Sequence, residues 1–147
     1  TTTMISGARL SPRFSGVDPA NTNEFGGRPD RIGAGTVSGN MRDLIESHQV
    51  IFDSSAFAVP GSGRGSYGNS GRNILTGPGA VTWNMALGKN VYLFSERARA
   101  QLRFEGYNAF NHPNFGNPST NISGSSFGLV TGAATARRIQ VSARIDF

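Results

Sequence analysis

RRIQVSARIDF, residues 137–147, alternates without a break. Ile139, Val141, Ala143, Ile145 and Phe147 fall on one side, and Arg138, Gln140, Ser142, Arg144 and Asp146 on the other. A repeat of two is the signature of a strand with one apolar and one polar face, whereas an amphipathic helix repeats every 3.6 residues. The segment RARAQLRFEGYNAF (97–110) has the same pattern. Ala98, Ala100, Leu102, Phe104 and Phe110 share one face, and Arg97, Arg99, Gln101, Arg103 and Glu105 share the other. A third strand is expected over 81–94 (VTWNMALGKNVYLF), where Val81, Trp83, Met85 and Leu87 alternate before the pattern blurs after Gly88, which suggests a bulge or twist there. A weaker fourth is expected over 4–14, with Pro12 near its end. The expected fold class is all-β, with antiparallel strands at 4–14, 81–94, 97–110 and 137–147. The chain reads as one β-rich domain or barrel segment, loop-rich over 15–80 and strand-rich over 81–147.

The connections are unequal. Only a short turn around Ser95 and Glu96 joins the third strand to the next. Long stretches rich in Gly, Pro, Asn and Ser fill 15–80 and the span up to about Ala136. MRDLIESHQVIF (41–52) is a candidate short helix within the first of them. A long, short, long order puts both long loops on one side, as in an outer-membrane β-barrel, and each strand is near the ~10 residues that a tilted membrane strand needs. A strand ending on an aromatic residue, here Phe147, is where such barrels carry their assembly signal. Ile139, Val141, Ile145 and Phe147 form that candidate signal.

The 147 residues include 20 Gly and 7 Pro, no Cys, and 37% apolar residues. No thiolate metal site or disulfide framework is available. No apolar run is long enough for a transmembrane helix. No basic stretch followed by an apolar run marks a signal peptide, and a start at Thr1 reads as a processed product or a piece of a longer chain. The net charge is +5. Residues 1–53 are nearly balanced, with five basic and six acidic groups, while 54–147 carry nine basic and three acidic groups. Arg97, Arg99, Arg103, Arg138 and Arg144 alternate with apolar residues, which makes them one polar sheet face toward a lumen or solvent rather than a nucleic-acid patch. That face could still meet anionic glycan or lipid headgroups.

Several motifs together carry a family resemblance. GNSGRNILTGPGAVTWNMALGKN (68–90) and ERARAQLRFEGYNAFNHPNFGNPSTNISGSSFG (96–128), with the closing RRIQVSARIDF, resemble the C-terminal region of Oar-like TonB-dependent receptors, which carry a carboxypeptidase-regulatory-like domain. VDPANTNEFGGRPDRIG (17–33) and FDSSAFAVP (52–60) resemble the loop sequences before it. The resemblance implies an outer-membrane protein with an N-terminal regulatory-like β domain, a plug and a barrel of about twenty-two strands. Only the last strands and their loops are matched here, and no residue is assigned as a substrate ligand. Four strands cannot close a membrane barrel, whose smallest examples have about eight. Such a chain cannot transport alone.

A second reading is a self-assembling subunit of an extracellular β-rich fibre, built by strand pairing between copies, with Thr1, Thr2, Thr3, Met4 and Ile5 as the donor segment. A distant third is a basic RNA- or glycan-binding module around GSGRGSYGNSGRN (61–73). That stretch lacks the G-K-[ST] ending of a phosphate loop. The expected partners are the remaining barrel strands and outer-membrane lipid, or identical subunits, with a surface glycan as a further candidate and no nucleic acid. The place is the outer membrane or the cell surface of a Gram-negative-type bacterium.

No catalytic set stands out. Glu96 and Glu105 lie on opposite strand faces, and His48 and His112 have no Cys or carboxylate cluster, so no enzyme activity, metal or cofactor is expected. Asn121-Ile122-Ser123 is a candidate glycosylation sequon. NAFNHPNFGNPSTN (108–121) holds five Asn and two Pro. It reads as the exit of a strand into a long loop, with Phe110 and Phe115 as anchors and His112 stacked on one of them. A ligand-contact role for Phe115 is the second guess.

Overall fold

The computed structural model describes residues 1–61, 63, 65–93 and 98–146. In chain order the strands begin with β1 (Thr2–Ile5), β2 (Arg9–Leu10), β3 (Phe14–Ser15), β4 (Gly26–Gly27) and β5 (Asp30–Arg31). Helix α1 (Met41–Glu46) and a 3-10 turn at Ser54–Ala56 come next. Then follow β6 (Phe57–Ala58), β7 (Leu75–Thr76), β8 (Ala80–Trp83), β9 (Met85–Leu93), β10 (Ala98–Tyr107) and β11 (Arg138–Asp146). Every strand pair is antiparallel, so the all-β expectation holds. The chain divides into two units, one of residues 1–5, 80–114 and 133–147, the other of 6–79 and 115–132.

The first unit is a sheet. Its centre is β10, with β9 on one side and β11 on the other, in a register that sets Phe104 between Leu87 and Val141. β1 pairs with β8 from Thr2 opposite Trp83 to Ile5 opposite Ala80. Asn84, between β8 and β9, does not break the strand. Its N–H donates to the Thr1 carbonyl at 2.8 Å, and its carbonyl accepts from the Thr1 amine at 2.7 Å. β8 and β9 are therefore one long strand. Both long excursions leave this sheet at the same end, marked by the pairs Ile5–Ala80 and Tyr107–Arg138.

Three details depart from expectation. The strand expected over 4–14 is broken into β1, β2 and the start of β3, with Ser6–Ala8 between the first two. Gly7 lies so close to Gly77 that a Cβ on it would sit 1.9 Å from that carbonyl oxygen, and the Gly77 N–H donates to Ala8 at 2.9 Å. That crossing of two backbones replaces the ladder. No bulge occurs at Gly88, because the β9–β10 ladder runs straight through Arg103–Gly88 and Leu102–Lys89. The blurred alternation has another cause, namely Lys89 on the apolar row and Ala86 and Tyr92 on the polar one. The strand expected over 97–110 ends at Tyr107, because Asn108 takes the left-handed conformation (φ 48°). Phe94, Ser95, Glu96, Arg97 and Phe147, and with them the terminal aromatic, lie outside the described residues.

The second unit corrects the expectation of long irregular loops over 15–80. It has its own core of Ile45, Ile51, Phe52, Ala56, Phe57, Leu75 and Phe127. Phe127 meets Phe52 and Phe57 at ring-centroid distances of 6.1 and 5.8 Å, tilted and edge-on, as aromatic quadrupoles prefer. Three two-residue pairings, β2–β7, β3–β4 and β5–β6, fasten the surrounding chain. α1 covers only the first half of the expected 41–52 segment. Asn40 caps its start by accepting from the Arg42 N–H, and Met41, Leu44 and Ile45 face the core. It stops at His48, which takes φ 55°. The Gln49 N–H bonds back to Leu44 and the His48 N–H to Ile45, a left-handed cap that satisfies the last carbonyls. His48 is therefore an exposed capping residue.

Candidate functional site

The register divides the sheet into two faces. One carries Met85, Leu87, Lys89 and Val91 from β9, Ala98, Ala100, Leu102, Phe104 and Gly106 from β10, and Ile139, Val141, Ala143 and Ile145 from β11. Most of this face is bare: Leu87 and Val141 are each 73% exposed and Ile145 62%, although Gly106, beside Ala109, is buried. An apolar surface this continuous is not left in water. The opposite face carries Arg99, Gln101, Arg103, Glu105, Tyr107, Arg138, Gln140, Ser142, Arg144 and Asp146. Arg144 reaches Asp146 at 2.8 Å, Arg99 reaches the same carboxylate at 3.6 Å, and Arg103 bonds Glu105 at 2.6 Å. Arg138 sits opposite Tyr107. These pairs are exposed and each adds at most about 1 kcal/mol. Their effect is to balance charge along the face. Four of the five arginines expected on one polar face share it, and Arg97 is outside the described residues.

The dimensions agree with a bilayer. From Trp83 to the end of β9 the strand takes about ten steps, which at ~3.4 Å per step and ~40° of tilt spans about 26 Å. At the end where the excursions leave stand aromatic groups. The Trp83 ring takes Phe110 edge-on at 5.4 Å and His112 edge-on at 6.2 Å. His112 therefore stacks on Trp83, not on Phe110 or Phe115 as the sequence suggested. Phe115 instead packs against the core of the second unit.

The Asn-rich stretch turns out to be a set of backbone substitutes. After Asn108 the chain runs along the edge of β8, where the Ala109 N–H donates to Trp83 at 2.8 Å. Asn114 Oδ1 accepts from the Val81 N–H at 2.7 Å and lies 3.2 Å from His112 Nδ1, and its Nδ2 donates to Thr82 Oγ1 at 3.1 Å. Asn108 and His112 exchange two bonds, and Asn111 Oδ1 accepts from the Arg137 N–H just before β11. Asn108 and Asn111 both have positive φ, which Asn tolerates better than other side chains. Replacing the buried Asn114 by Ala removes the partner of a strand N–H and should cost about 2 kcal/mol. A urea titration of the refolded barrel in lipid vesicles would measure it.

Lys89 is the only charged residue on the apolar face among the described residues. It lies opposite Leu102, close to mid-height by the count above. A lysine at the midplane of a bilayer costs ~2–4 kcal/mol. Lys89→Leu should therefore stabilise the barrel by about 2 kcal/mol, read in the same titration.

The other sequence-level candidates find these places. Of the candidate donor segment Thr1–Ile5, Thr2–Ile5 are already paired within the chain to β8, and Thr1 is bonded to Asn84. Asn121 donates its Nδ2 to Ser15 Oγ at 2.9 Å and accepts from the Ser123 N–H. Among the described residues no His, Cys, Asp or Glu cluster fits a metal ion. Among the described residues no helix is long and apolar enough to cross a membrane.

A strand ladder with one apolar and one charged face, cut to the height of a bilayer and edged with aromatics, is a piece of membrane-barrel wall. Residues 1–140 match the model of a family described as outer membrane beta barrel domain, and the chain belongs to that family. No curated protein and no solved structure matches it. The chain is thus an outer-membrane β-barrel segment, which places it in the outer membrane of Gram-negative bacteria. The fibre reading draws no support from this match.

Proposed function

We propose that the chain forms the C-terminal strands of an Oar-like TonB-dependent receptor, with no enzymatic activity and no transport capacity of its own. The observation that carries the reading is the apolar face shared in register by β9, β10 and β11, interrupted among the described residues by Lys89 alone. It is supported by the motifs from Gly68 to Phe147 that resemble that receptor class. The sheet has too few strands to close, and an open edge in lipid leaves backbone groups unpaired at several kcal/mol each. The partners this reading requires are the other strands of the same barrel and the surrounding lipid. No cofactor or nucleic acid enters it. The polar face then lines the barrel interior, and the second unit belongs to the cell surface.

The test is an immunoblot of fractionated cells, using antibody raised against a peptide of residues 17–33. A band many times heavier than 15.5 kDa, confined to outer membranes and shifted in mobility by boiling, is the expected result. Loss of uptake of the receptor's substrate when TonB is deleted completes it. A free polypeptide of 15.5 kDa in detergent-free polymers would overturn the reading in favour of the fibre.

A further inference from the structure

The second unit carries an open cleft that the barrel does not need. Two hollows of about 100 and 990 Å³ share Phe14, Glu24, Arg28 and Tyr67 in their walls. The larger is also lined by Arg13, Arg72, Asn73 and Asn121. Its floor is Phe14, 4% exposed. Gly27 of β4 lies directly over that ring, where a Cβ would approach it to 3.1 Å. The glycine keeps the β3–β4 pair flat against the floor and the cleft open above it.

The walls are fixed. Asp18 accepts from the Thr22 and Asn23 N–H groups, which shapes one side. The loop that carries Tyr67 is tied by Asn69, whose N–H donates to Asp30 and whose Oδ1 accepts from the Arg31 N–H. The Ser70 N–H donates to Pro29 at 3.0 Å, and Arg28 Nη1 donates to the Ser70 carbonyl at 3.1 Å. The Asn73 N–H donates to Ser11 Oγ. Tyr67 stands on this tied loop with its side chain 68% exposed, too open for a core aromatic. The larger hollow is lined by three arginines, Arg13, Arg28 and Arg72, and by one acidic residue, Glu24. Among the described residues none of the three is paired with an acid.

We propose that this cleft binds an acidic oligosaccharide. A flat, exposed phenol ring offers a stacking platform for a sugar ring, which presents C–H groups on its faces. Guanidinium forks match a carboxylate with two parallel hydrogen bonds. The Asn73 side chain supplies both donors and an acceptor, as hydroxyl groups require, and the second Nδ2 hydrogen of Asn121 adds a donor. A peptide ligand would want apolar pockets for its side chains or a free strand edge to extend. The cleft has neither, because Phe14 is covered and β3 and β4 already pair with each other. The proposal rests on the cell-surface reading only for where the ligand comes from.

The experiment uses the intact receptor purified from outer membranes in detergent, titrated calorimetrically with a galacturonate tetramer. The comparators are its methyl ester and a glutamate peptide of equal charge. Binding of the free acid should exceed that of the ester by roughly tenfold or more, and should weaken as salt rises. Arg72→Gln and Arg13→Gln should each lower affinity by roughly tenfold, and Tyr67→Ala by about fivefold. Circular dichroism and unchanged heat-modifiable mobility establish that the variants are folded. Three outcomes would overturn the proposal: no binding of the acid, affinity indifferent to these substitutions, or the glutamate peptide binding as well with Tyr67 dispensable. The immunoblot described above is independent of all of them, so a silent cleft and a wrong receptor reading give different results.

Discussion

Phe52→Ala will unfold the second unit at temperatures where the unmodified protein holds it. Phe52 is 1% exposed and packs with Phe127, and through it with Phe57, at the centre of a cluster of seven buried side chains among the described residues. Truncating a buried phenylalanine costs ~3–5 kcal/mol, because transfer free energy is lost and the space left behind closes only in part. A unit with so few core residues has little stability in reserve. No residue of that core belongs to the sheet. The expected result is rapid trypsin cleavage at Arg31 and Arg42 in intact cells, while mobility on unboiled gels is unchanged. If the cleavage rate stays at that of the unmodified protein, Phe52 is not the keystone of this unit.

A second large effect separates neighbours one residue apart. Val141→Arg should destabilise the barrel by ~2–4 kcal/mol, while Ser142→Arg should stay within about 0.5 kcal/mol. Val141 lies in the middle of the apolar row of β11, beside Phe104, and Ser142 faces Arg103 on the charged side. Equilibrium unfolding in vesicles would give both values. Because side chains alternate strictly along a strand, the contrast also tests the register, and equal effects at both positions would mean that neither face meets lipid.

What the sequence could reveal follows from how far each signal extends along the chain. β10 and β11 were legible almost residue by residue, because nine or ten positions alternate in a row. The face that holds Arg99, Arg103, Arg138 and Arg144 followed from the same count. Lys89 was misread as a symptom of a bulge because a lysine in an apolar row breaks the pattern as a bulge would. The second unit was not legible. Its strands are two residues long, too short to show any period, and its core takes Phe52, Phe57 and Leu75 from one excursion and Phe127 from the other. The cleft was hidden for the same reason, since Arg13, Arg28, and the loop with Tyr67 and Arg72 meet only once three separate segments are folded together. The asparagines near residue 110 announced a turn but not their task, because a side chain that stands in for a backbone partner leaves no trace in composition.

The shared aromatic core also sets an order of events in time. Phe127 lies some seventy residues beyond Phe52 and Phe57, so their contact closes a very long loop and belongs to the slow class of folding steps. The second unit cannot finish until the segment just before the last strand has arrived. During biogenesis the earlier excursion must therefore wait, half-assembled, with Phe52 and Phe57 lacking their partner. Periplasmic holding factors would find their longest window there, and so would proteases.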